Sequence, residues 1–86
     1  MTDDRQMTET ILDYVRREYE DALQGAEIAR DTPLISSGLI DSLSMVSLKV
    51  FLDQTYSLHI PDSEASAEAF DTVSAIVVML RRLGVK

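Results

Sequence analysis

The sequence predicts an all-α protein with three longer helices and one short one. Apolar residues recur at spacings of three and four in three separate stretches, and no stretch alternates apolar and polar residues as a half-buried strand would. Only three glycines and two prolines interrupt the 86 residues, and they stand between the periodic stretches. An aspartate, serine or threonine precedes each stretch, where a helix N-cap belongs.

The first helix is predicted over about residues 3–23, with Met7, Ile11, Leu12, Val15, Tyr19 and Leu23 as its apolar stripe. Asp3 and Gln6 have capping-box spacing, and Gly25 favours termination. Residues 26–40 form a long connection with turn signals at Asp31-Thr32-Pro33 and Ser36-Ser37-Gly38. Leu34, Ile35, Leu39 and Ile40 within it predict that it lies on the core. The second helix is predicted over residues 42–56, capped by Asp41 or Ser42. After a link at 57–62, the alanines of residues 63–69 allow a short third helix. Asp71 or Thr72 then caps a last helix through Leu83, with Val73, Ile76, Val77, Leu80 and Leu83 buried. Arg81 and Arg82 sit in its last turn and Gly84 follows it.

A chain of this length holds a single domain, with its core over about residues 5–83. Its charge is −7, with nine acidic and four basic side chains in residues 1–31. Such acidity disfavours nucleic acid and anionic lipid as partners. The absence of cysteine excludes disulfides and a thiol nucleophile supplied by the chain, and a lone histidine makes a metal site improbable. No stretch has the pattern of a signal peptide or membrane span, so a cytoplasmic monomer with no membrane insertion is expected. His59 reads as a solvated side chain, the first helix's acids as a solvated face, and Met45 and Met79 as packing residues.

The second helix carries two apolar stripes. At 100° per residue, Met45, Leu48, Leu52 and Tyr56 cluster within about 80°, while Leu43, Val46 and Val50 cluster on roughly the opposite side. A surface helix needs only one apolar face. Either the helix is sandwiched, or one stripe is reserved for a partner. With few helices available, the first stripe is expected to be core and the second a docking surface. Ser42 stands at the helix start, where free N–H groups and the positive dipole end would suit a covalently attached phosphate.

These features together resemble the acyl carrier protein family, with its peptidyl and D-alanyl relatives. The resemblance covers about residues 5–83. It is strongest over Asp31-Thr32-Pro33-Leu34-Ile35-Ser36-Ser37-Gly38-Leu39-Ile40-Asp41-Ser42-Leu43, with Ile60-Pro61-Asp62 and Phe70-Asp71-Thr72-Val73 as further matches. It implies a four-helix bundle of acyl-carrier type that is not itself an enzyme. Ser42 would bear 4′-phosphopantetheine, delivered from coenzyme A by a phosphopantetheinyl transferase, and Asp41 would support that loading. The arm's thiol would carry acyl or aminoacyl intermediates as thioesters for biosynthesis. Leu43, Val46 and Val50 match positions that meet the loading and processing enzymes. Gly38 stands four residues before Ser42, where fatty-acid carriers have glycine three before. That spacing is similar to stand-alone and D-alanyl carriers. Ser44, Ser47, Gln54 and Thr55 stand where fatty-acid carriers often have carboxylates. The cargo is left open among fatty acyl, polyketide, hydroxyacyl and amino acid. The alternative is an unmodified helical module that docks through the Leu43/Val46/Val50 stripe. A hydrolase using Ser42 would need a His or Lys beside it to activate it, and none is evident in the sequence.

Overall fold

Asp3 shows why the first periodic stretch starts where it does. In the computed structural model, which describes residues 3–41 and 43–85, its carboxylate accepts a hydrogen bond from the Gln6 N–H at 2.7 Å. One of the free first-turn donors is thereby satisfied. Helix α1 (Asp4–Glu18) follows and buries Met7, Ile11, Leu12 and Val15. The helix predicted to run on to Leu23 is instead broken at Tyr19, whose φ of −116° and ψ of 27° leave the helical range. A single turn, α2 (Glu20–Leu23), lies beyond the break. It ends at Gln24 and Gly25, both with positive φ.

The middle helix, α3 (Ser44–Thr55), buries Leu48 and Leu52. Helix α4 (Val73–Arg82) is capped by Thr72, whose hydroxyl accepts from the Ala75 N–H at 3.0 Å. It buries Val73, Ile76, Val77, Met79 and Leu80. Met79 thus joins the predicted stripe, and Leu83 is only half-buried. Helix α4 packs on α1, and Arg81 pairs with Asp4 at 2.6 Å.

The fourth helical element is therefore α2, next to α1, and not the short helix expected over residues 63–69. Those residues form turns. The Glu64 N–H donates to the Pro61 carbonyl at 2.9 Å, and the Ser66 hydroxyl oxygen accepts from the Ala69 N–H at 3.2 Å. A serine side chain that bonds local backbone competes with a continuous helical ladder. The segment still delivers Phe70, fully buried, to the core.

The architecture is all-α, with no strand among the described residues. One hydrophobic cluster joins α1, α3 and α4 with Leu34 and Ile40 from the first connection and Ile60 and Phe70 from the second. Full burial of each such side chain contributes about 1.5–3 kcal/mol. Both connections lie on the core, as the apolar residues of the first predicted. No helix among the described residues is long and apolar enough to cross a membrane.

Candidate functional site

The start of α3 is built by Asp41. Its Oδ1 accepts from the Ser44 N–H at 2.9 Å and from the Ser44 hydroxyl at 3.0 Å. Asp41, one of the two capping residues expected from the sequence, thus satisfies a donor at the helix start. Ser42 itself lies outside the described residues. Its neighbours Asp41 and Leu43 are both exposed.

The approach to this point is held from a distance. Asp71 Oδ1 accepts from the Ile35 and Ser36 N–H groups, and Oδ2 accepts from the Ser36 hydroxyl, all at 2.8 Å. The Leu34 N–H donates to the Asp71 carbonyl at 2.6 Å, and the Ile40 N–H donates back to the Leu34 carbonyl at 2.9 Å. Gly38 turns the chain between them with φ of +84°, a conformation that a side chain would strain. The Ser36 N–H and hydroxyl hold the Asp71 carboxyl below its ordinary value, against a smaller opposing effect of burial, and the Ile35 N–H adds to the lowering.

Two tyrosines of the α1 region grip the first turns of α3. The Tyr19 hydroxyl donates to the Ser44 carbonyl at 3.0 Å and the Tyr14 hydroxyl to the Ser47 carbonyl at 3.3 Å. The Tyr14 ring stacks on Phe51, with centroids 3.9 Å apart. Burial, with the nearby Tyr19 and Glu18, pushes the Tyr14 hydroxyl up to about 12. At the other end of α3, Asp53 Oδ2 pairs with the Lys49 ammonium and Oδ1 accepts from the Ile60 N–H, each at 3.0 Å. Burial pushes the Asp53 carboxyl up, but the Ile60 N–H and Lys49 together outweigh it and bring the group below its ordinary value.

So held, α3 faces two ways. Leu48 and Leu52 are 3% and 0% exposed, whereas Leu43, Val46 and Val50 are 80%, 64% and 46% exposed. Met45 and Tyr56 are half-buried at the edge of the core. Beside the outward face lies an open groove of about 360 Å³ lined by Met45, Val46, Lys49, Asp62 and Ala65. His59 is exposed, and among the described residues no three His, Cys, Asp or Glu side chains gather as metal ligands.

Sequence reasoning foresaw the capping acid and both stripes. It missed the Asp71 clasp, assigned only as a possible cap, and the tyrosine struts. The one signal for Asp71 was its place in Phe70-Asp71-Thr72-Val73, a stretch whose pattern carried no indication of a partner some 35 residues away.

No family model matches the chain. It is similar to the lincomycin biosynthesis protein LmbN of Streptomyces lincolnensis, with 39% identity over 57 residues. That match covers 66% of this chain and spans about a fifth, 20%, of the relative's length.

Proposed function

We propose that this chain is a carrier protein: Ser42 bears 4′-phosphopantetheine, and the domain presents acyl or aminoacyl thioesters to partner enzymes. The observation that carries this reading is the start of α3. Asp41 satisfies the Ser44 N–H there, so that donor does not call for a serine cap. Position 42 falls in the sequence between two exposed residues, Asp41 and Leu43, directly ahead of a helix whose outward face carries Val46 and Val50.

These surroundings fit the group. A phosphodiester on Ser42 would stand near the helix start, where an exposed anion gains about 0.3–1 kcal/mol. That orients a group without retaining it, which suits a covalent link. Met45, Val46 and Ala65 offer the arm an apolar wall, and Lys49 and Asp62 a polar rim. When bound, the group supplies the thiol that the cysteine-free chain lacks. The chain's own residues carry out no chemistry on the cargo: Asp41 orders the helix start, and Leu43, Val46 and Val50 meet the transferase and the loading and processing enzymes. The named relative supports a place in specialised biosynthesis.

Incubation with coenzyme A and a broad-specificity phosphopantetheinyl transferase should add one phosphopantetheine by intact mass, mapped to Ser42. Ser42→Ala should fold and remain unloaded, while Ser44→Ala and Ser47→Ala should load. Loading of Ser42→Ala, or none of the wild type beside a control carrier, would overturn the reading. It would favour the second one, an unmodified helical interaction module, which the exposed Leu43/Val46/Val50 stripe supports by itself.

A further inference from the structure

We infer that the outward face of α3 docks on an enzyme surface that is apolar and uncharged at its centre, and not on a cationic patch; this rests on the carrier reading. The face presents Leu43, Val46 and Val50, and its exposed polar neighbours Ser47, Gln54 and Thr55 are uncharged. The two charged residues of α3 satisfy each other. Lys49 and Asp53 pair at 3.0 Å with side chains only 19% and 21% exposed. The second Asp53 oxygen is taken by the Ile60 N–H. Between Ser44 and Thr55, no charge is left to complement one on a partner.

The acidity of the protein lies elsewhere, with nine of its 15 acidic residues in positions 1–31. The carboxylates around the helix stand at its margins and not on the face itself: Asp41, whose Oδ1 is engaged with Ser44 at the helix start, Asp62 across the groove, and Asp13 and Glu18 on the flank of Phe51. A basic patch centred on the three aliphatic side chains would lose hydration against a surface with no anion of its own, which is unfavourable. An apolar patch would gain by the same contact. Three aliphatic side chains also offer far less than the roughly 800 Å² per partner of a stable interface. That suits brief visits to successive enzymes and is too small to hold two copies together.

The test uses the full chain, coenzyme A and a broad-specificity phosphopantetheinyl transferase as the docking probe. Loading kinetics are followed from about 50 to about 500 mM NaCl, a range that largely screens surface charge pairs. The expected kcat/KM changes less than about threefold across that range. Val46→Ser lowers it about tenfold through KM with kcat kept, as the loss of one buried aliphatic contact would. Ser47→Glu, which adds the carboxylate that a cationic partner would seek, does not accelerate loading. Circular dichroism melts verify that both variants are folded.

A loss above about tenfold with salt, or faster loading of Ser47→Glu, would show ionic docking and overturn the inference. So would unchanged loading of Val46→Ser, or sedimentation showing wild-type dimers that Val46→Ser dissociates. A wild type that never gains mass defeats the carrier reading first, and this inference with it. That outcome is read by mass alone, separately from the kinetic ones.

Discussion

Helices α3 and α4 are similar in length and both rich in aliphatic residues, yet they dispose of them differently. Helix α4 sends Val73, Ile76, Val77, Met79 and Leu80 into the core and leaves only Val78 strongly exposed. Helix α3 buries Leu48 and Leu52 and turns Val46 and Val50 outward, in line with Leu43 just before it. A single exposed valine is ordinary on a protein surface. Three aliphatic residues on one face of one helix are not explained by packing. The contrast separates α4, whose aliphatic residues hold the fold together, from α3, which does that on one face and leaves the other exposed.

The sharpest way to break this comparison is to put a charge on each face of α3. Leu52→Asp places an unpaired carboxylate among fully buried side chains, so the cooperative thermal transition should be lost. Val50→Asp should leave the melt within about 1 kcal/mol of wild type while weakening loading. Equal destabilisation would show that α3 is sandwiched after all. Next in size, Ile76→Ala in α4 should cost about 2–5 kcal/mol by chemical denaturation, since it empties a fully buried position.

Caps offer a finer comparison. Thr72→Ala and Asp41→Ala each remove the acceptor at a helix start and should each cost about 0.5–2 kcal/mol. Only Asp41→Ala should also slow modification of Ser42. If Thr72→Ala slows it equally, the effect belongs to general stability and not to the helix start.

Acid probes the clasp. The Asp71 carboxyl titrates below its ordinary value in the folded chain. Its contribution is therefore complete above the ordinary aspartate value of about 3.9 and is lost as pH falls from there through the lower folded value. Asp53, also lowered, acts in the same window and the same direction. Asp71→Asn should flatten part of the acid limb of a stability–pH curve, and hydrogen exchange should show faster opening at Ile35 and Ser36. The smallest effect is expected at Tyr14. Its long bond to Ser47 contributes little, so Tyr14→Phe should move stability by about 0.5 kcal/mol or less. In the wild type its phenol should ionise last among the tyrosines on spectrophotometric titration.

What could be read from sequence follows the range of the interaction. Periodicity located α1, α3 and α4, because burial of one face repeats every turn. It also resolved the two faces of α3. Asp3, Asp41 and Thr72 were legible because a cap acts over two or three residues. The break at Tyr19 was not, since the bond associated with it reaches Ser44, 25 residues away. Residues 63–69 misled in the opposite way. Their alanines permit a helix, but the bonds of Ser66 and the seating of Phe70 close turns instead. The position of the candidate site at a helix start was thus readable locally. The clasp and struts that hold that start are tertiary and left no local pattern.

The Asp71 clasp also orders events in time. It joins Asp71 to Ile35 and Ser36 across 36 and 35 residues of chain, and closing a span that long costs entropy before any bond is gained. As the chain is synthesised, residues 34–41 leave the ribosome well before their anchor does. The segment leading to Ser42 takes its final course only after the start of α4 has emerged and docked, so an enzyme that reads that course would meet it on the finished domain and not on the growing chain.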